Sequence, residues 1–99
     1  LALGVIVALK AACLSHKVKV VGNDGVADAV QAIKDGTMYA ANAESPFSLG
    51  SEVMALAAKV AHGEQVEKSK VLQGFVVKTA DVASYCKELA ALGDVATCK

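Results

Sequence analysis

The stretch at residues 17–46, KVKVVGNDGVADAVQAIKDGTMYAANAESP, restricts the possible folds more than any other part of the chain. It opens on the β-branched run Val18, Val20 and Val21, which Gly22 stops, and continues through the polar turn Asn23-Asp24-Gly25. Val26, Val30 and Ile33 then recur at helical spacing as far as Asp35-Gly36. This periodicity predicts a strand over residues 18–22, a turn and a helix over 26–34. A second short strand, residues 38–42, runs into another polar turn, Glu44-Ser45-Pro46, and again a helix follows. Each turn therefore carries a carboxylate at the carboxyl end of a strand. In open α/β sheets ligands bind along that edge, because helix N-termini and turn amides converge there.

The same punctuation extends in both directions. Residues 1–14 read as a helix that is apolar nearly all round, the pattern of a helix packed on several sides. Its sequence, LALGVIVALKAAC, has the outline of a lipoprotein export signal, but no basic segment precedes it and Lys10 interrupts the apolar part. It is also too short to span a bilayer. The expectation is a buried helix whose beginning lies upstream of Leu1. Downstream, Ser45 can accept from the free amides of a third helix, and Pro46 has no amide to leave unpaired. Leu49, Val53, Leu56 and Val60 follow at helical spacing to His62, and Gly63 ends the element. GEQVEKSK, residues 63–70, reads as an exposed crossover.

The third strand, residues 71–77, lacks clean alternation, as expected when both sheet faces are covered. Thr79 and Asp81 open a last helix in which Val82, Cys86 and Leu89 share a side until Gly93, and residues 94–99 are expected to fray. The order α-β-α-β-α-β-α predicts one α/β domain with a parallel sheet of three strands, right-handed crossovers and four helices. Apolar residues are 55% of the chain but aromatics only 4%, so the core must come from Ala, Val and Leu.

Ten basic residues balance ten acidic ones, which leaves no global field to draw the chain to nucleic acid, and none is expected as a partner. Cys13, Cys86 and Cys98 show no C-x-x-C spacing and are odd in number. They read as buried or incidental thiols rather than a zinc site or a disulfide framework, although a bridge from Cys86 to Cys98 is geometrically open if the tail folds back.

No catalytic constellation appears, and the chain is not expected to be an enzyme. His16 and His62 have no cysteine or serine partner at a recognisable spacing, and no convergent metal ligands are present. Gly22, Gly25 and Gly36 do not make G-x-G-x-x-G, there is no P-loop, and no cofactor is expected. What remains is Asp24 and Glu44, with Asn23 beside the first. Carboxylates there could each grip neighbouring hydroxyls of a sugar through charge-assisted bonds. Against this, Asp24 stands where it can cap the second helix, and the cap alone would account for it.

At these residues the chain resembles the type 1 periplasmic sugar-binding proteins that deliver ribose, galactose, xylose and related solutes to ABC transporters. ALGVIVALKAA, VKVVGNDG, AIKDG, YAANAESPFSLG and GFVVKTADVASY stand in that family's order and spacing. The likeness covers nearly the whole chain but only about the last third of a family member, so it implies a C-terminal fragment. It implies a Rossmann-like, three-layer lobe of the periplasmic-binding-protein-like I fold. Asp24 falls on the aspartate that hydrogen-bonds sugar hydroxyls. Glu44 falls on the Asn, Asp or Gln ligand at the hinge between lobes, and a glutamate is longer than the usual residue. The chain crosses between lobes near residues 42–46 and again near the third strand. Residues 1–42 and 73–99 then belong to the C-terminal lobe and residues 46–72 to the N-terminal one.

The implied partners are a small-molecule sugar and, for a full-length protein, the transporter permease; the implied location is the periplasm or the extracellular face of the membrane. A chain with this helix three and no second lobe must expose an apolar face, re-dock the helix or self-associate. The effector-binding core of a LacI-type transcription regulator shares the fold and the aspartate, but GTMYAANAESPFSLG is closer to the transporters. A small flavodoxin-like enzyme or signalling domain is the third reading, disfavoured because the chain shows no phosphate loop or acidic phosphorylation cluster.

Overall fold

The computed structural model describes residues 1–99. Helix α1 spans Ala2–Ala11 and is followed by strand β1 at Val21–Asp24, helix α2 at Ala27–Lys34 and strand β2 at Ala40–Ala43. Helix α3 spans Pro46–Ala61, strand β3 spans Phe75–Val77, and a 3-10 turn at Thr79–Asp81 leads into helix α4 at Val82–Ala91. All seven expected elements form. The strands are shorter than the apolar runs that announced them and begin later: Val20 only accepts from the Tyr39 amide at 2.8 Å, and β1 and β2 run on to Asp24 and Ala43, past their expected ends.

Strand β1 pairs with β2 in parallel, Val21 opposite Ala40 and Asp24 opposite Ala43, as the α2 crossover requires. Strand β3 pairs with β2 in the antiparallel sense, Ala41 opposite Val77 and Ala43 opposite Phe75, which corrects the expectation of an all-parallel sheet. The reason is the course of α3. A crossover helix yields a parallel return only if it packs back along the sheet. Here α3 buries none of its residues, and the exposed residues 62–74 carry the chain back to the edge from which it left. It therefore re-enters the sheet running the other way. The molecule measures 58 × 26 × 18 Å with a radius of gyration of 16.8 Å; a compact chain of this length has about 13 Å.

The core lies where α1, α2 and α4 meet one face of the sheet. Ile33, Met38, Leu89, Val30 and Val77 are its largest fully buried side chains. Ala29, Ala32, Ala41 and Ala43 let helix and strand backbones approach. The expected Ala and Val core is present, but Leu89 is the only fully buried leucine. On the opposite sheet face, which Val21 and Val76 share by register, both side chains stay 62% exposed. This corrects the expectation that the third strand is covered on both faces, although Ala40 on that same face is buried. Helix α1 likewise buries only Ile6, while Leu3, Val5 and Val7 are exposed, so it is not packed on several sides. No helix is long and apolar enough to cross a membrane.

Helix ends follow the predicted chemistry except at one point. Ser45 Oγ accepts from the Ser48 amide at 3.3 Å, with Pro46 at the first helical position. The carboxyl of Asp81 accepts from the Lys78 amide at 3.1 Å, and the Thr79 hydroxyl donates to the Ile33 carbonyl at 3.3 Å, tying the last helix to α2. The residue flanking α2, however, is Val26, and no side chain caps that helix.

The C-terminal residues do not fray. Asp94 accepts from the amides of Ala96 and Thr97, both at 3.1 Å, and from the Thr97 hydroxyl at 2.7 Å. The bonds from Thr97 hold its carboxyl below the usual carboxylate range. This turn brings Cys98 back to α4, where it forms a disulfide with Cys86 across a Cα separation of 5.7 Å. The reading of these two as thiols is corrected; Cys13 is free and exposed.

Candidate ligand-binding site

Both polar turns lie at the edge of the sheet where β1 and β2 end. The first is built from two consecutive residues in the left-handed region, Asp24 at φ 80° and Gly25 at φ 60°. Aspartate tolerates that region better than most residues with a Cβ. Gly25 cannot be replaced easily: an added Cβ would stand 2.5 Å from Ala43 Cβ and 2.9 Å from the Tyr85 hydroxyl oxygen. The turn is thus wedged between the end of β2 and α4.

Helix capping does not account for Asp24. Its carboxylate accepts from Asn23 Nδ2 at 2.6 Å and takes no amide of α2. Asn23 Oδ1 in turn accepts from Asn42 Nδ2 at 3.0 Å, across the β1 and β2 pair in which these asparagines are register partners. A polar chain therefore runs from Asn42 through Asn23 to Asp24 with one direction of donation, leaving the far oxygen of Asp24 open to a donor. Asn42 packs closely on Gly74, where an added Cβ would meet Asn42 Oδ1 at 2.6 Å.

Asn42 was not among the sequence candidates. The available signal was the repeat itself: VGND and ANAE each carry an asparagine shortly before the carboxylate.

Asp24 lines a cavity of about 350 Å³ with Asn23, Gly22, Val26, Met38 and the first residues of α1. Glu44 is exposed, makes no hydrogen bond, and lines a separate recess of about 40 Å³ with Ser45, Ser48, Leu72, Gln73 and Phe75. The two carboxylates share the strand edge and not a pocket. No group of His, Cys, Asp or Glu is arranged to hold a metal ion. The arrangement can accept several hydrogen bonds from a neutral polyol, and it places no nucleophile or general base against a reacting atom.

Comparison with known proteins identifies the family. The chain is 45% identical over 67 residues to the ribose import binding protein RbsB of Haemophilus influenzae, a match that covers 68% of this chain and 22% of that protein. Among solved structures it is similar to an ABC transporter periplasmic solute-binding protein from Actinobacillus succinogenes 130z with bound D-allose. There the TM-score is 0.78 and the identity 25%, over 85% of this chain and 29% of that one. It is also similar to the periplasmic binding protein component of the arabinose ABC transporter from Shewanella sp. ANA-3, bound to α- and β-L-arabinofuranose. That match has a TM-score of 0.69 and 28% identity, over 94% of this chain and 33% of that one. The chain thus spans between a fifth and a third of the length of these relatives. The family model described as a periplasmic binding protein domain matches residues 1–65, from α1 through α3, and the chain belongs to that family.

Proposed function

We propose that these residues supply one wall of the sugar site in the solute-binding component of a carbohydrate ABC transporter. The observation that carries the reading is the Asn42, Asn23 and Asp24 chain at the carboxyl edge of β1 and β2, which presents an open carboxylate oxygen to a hydroxyl-bearing ligand. The three relatives support a monosaccharide, since their names specify ribose import, D-allose and arabinose. Asp24 is the principal contact in this reading, and Glu44 acts at the hinge. The family is one of binding proteins, and no catalysis is proposed.

The division into lobes belongs to the same proposal. Residues 1–42 and 73–99 form one lobe, and residues 46–72 belong to the other. The projection of α3 away from the core, with no buried residue, supports that boundary. A permease is the partner of the two-lobed protein, in the periplasm or at the extracellular face of the membrane. The Cys86–Cys98 bridge suits such an oxidising compartment.

Calorimetry with ribose, allose and arabinose tests the reading. The 99 residues alone are expected to bind none of them measurably, because they offer one wall of a cleft, whereas a two-lobed chain containing them should bind at least one. Micromolar binding by the 99 residues would place the site elsewhere.

The exposed face of α3 carries a further expectation. Leu49, Val53 and Val60 are each about half exposed and lie at helical spacing, and burying such side chains is worth roughly 1.5–3 kcal/mol each. The isolated chain should therefore sediment as a dimer or larger species, and Val53→Lys should shift it towards monomer. A wild-type chain that remains monomeric at high micromolar concentration would contradict this.

A further inference from the structure

We propose that Tyr85 is a positioning residue for the ligand-binding edge, holding the Asp24 turn in place from the α4 side; the inference rests on the reading of Asp24 as a ligand contact. Tyr85 lies sixty residues away in sequence, yet its hydroxyl donates to the Gly25 carbonyl at 3.4 Å in a buried setting, and its side chain is 6% exposed. That carbonyl belongs to the second of the two left-handed residues that turn the chain out of β1. Without a donor, the carbonyl would be buried and unpaired, and the turn could relax out of the left-handed region.

The same turn rests on Ala43, with only 2.5 Å between that Cβ and the position of a Cβ on Gly25. Ala43 immediately precedes Glu44. Tyr85 therefore bears on the β1 turn directly and on the start of the second polar turn through Ala43. Burial, and then the charges of Asp94 and Glu88, push the phenol above its ordinary range, so it stays a protonated donor at neutral pH.

The test is NMR of the 99-residue chain, which reads the turn without any ligand. Tyr85→Phe keeps the ring and removes the donor. The Cα resonances of Asp24 and Gly25 and the amide of Glu44 should move, while those of Ile33 and Val30 in the core of α2 stay in place. Replacement of tyrosine by 3-fluorotyrosine is the second variant. It keeps the hydroxyl and strengthens it as a donor, and it should move the same resonances should the phenylalanine variant fail to fold.

Resonances at Asp24 and Gly25 that do not move in either folded variant, or shifts spread evenly through the α2 core, would overturn the proposal. If instead the turn responds to Tyr85 while Asp24→Ala leaves sugar affinity unchanged in a two-lobed chain, the positioning stands and the assignment of Asp24 as a ligand contact falls.

Discussion

Gly25→Ala is expected to destabilise the chain by about 2–5 kcal/mol, combining the left-handed backbone penalty with overpacking of a filled site. For a domain of this size that lowers the melting temperature by roughly 10 °C or more. Gly36→Ala is the internal control. Gly36 has a similar φ of 71°, but nothing lies within 4 Å of an added Cβ, so only the backbone penalty applies there. The gap between the two melting temperatures then measures the contact with Ala43 and Tyr85. Equal effects would show that the turn is not wedged between β2 and α4.

The second large effect concerns the tail. The Cys86–Cys98 bridge closes a loop across a sequence separation of 12, and cross-linking a loop of that size stabilises by about 3 kcal/mol. Reduction, or the double substitution Cys86→Ala with Cys98→Ala, should lower the urea midpoint by roughly 1 M or more. The loss should be large relative to the total, since only 16 of 99 residues are buried. Midpoints that coincide with and without reductant would mean that the hydrogen bonds of Asp94 hold the tail unaided.

The parts that could be read from the sequence are those decided locally. Helix α2 follows from the period of its apolar residues and from Gly36, and β1 and β2 from their apolar runs, although Gly22 does not stop β1, which continues through it to Asp24. The start of α3 follows from Ser45-Pro46. What could not be read depends on where distant segments go. The direction of β3 is set by the departure of α3 from the sheet, and no periodicity within residues 71–77 carries that information. The disulfide depends on the Asp94 turn folding the tail back, which a spacing of twelve between cysteines does not specify.

The site divides along the same line. Asp24 and Glu44 stand out as carboxylates after strands, but residue type alone left Asp24 equally suited to capping a helix. Its left-handed backbone and its bond from Asn23 exclude the cap. Asn42 joins the site only through its register opposite Asn23, a cross-strand relation that becomes visible once β1 and β2 are paired.

If the Asp24 turn is a sugar-contacting edge, loss of its carboxylate must show as a ratio of affinities. Calorimetric titration of ribose, allose or arabinose into a two-lobed chain carrying these residues should be repeated with Asp24→Ala. Removing the charged partner of a buried hydrogen bond to the ligand costs roughly 1.5–3 kcal/mol, which corresponds to a rise in Kd of one to two orders of magnitude. An Asp24→Ala protein that is folded and binds as tightly as the wild type would show that this turn does not contact the sugar.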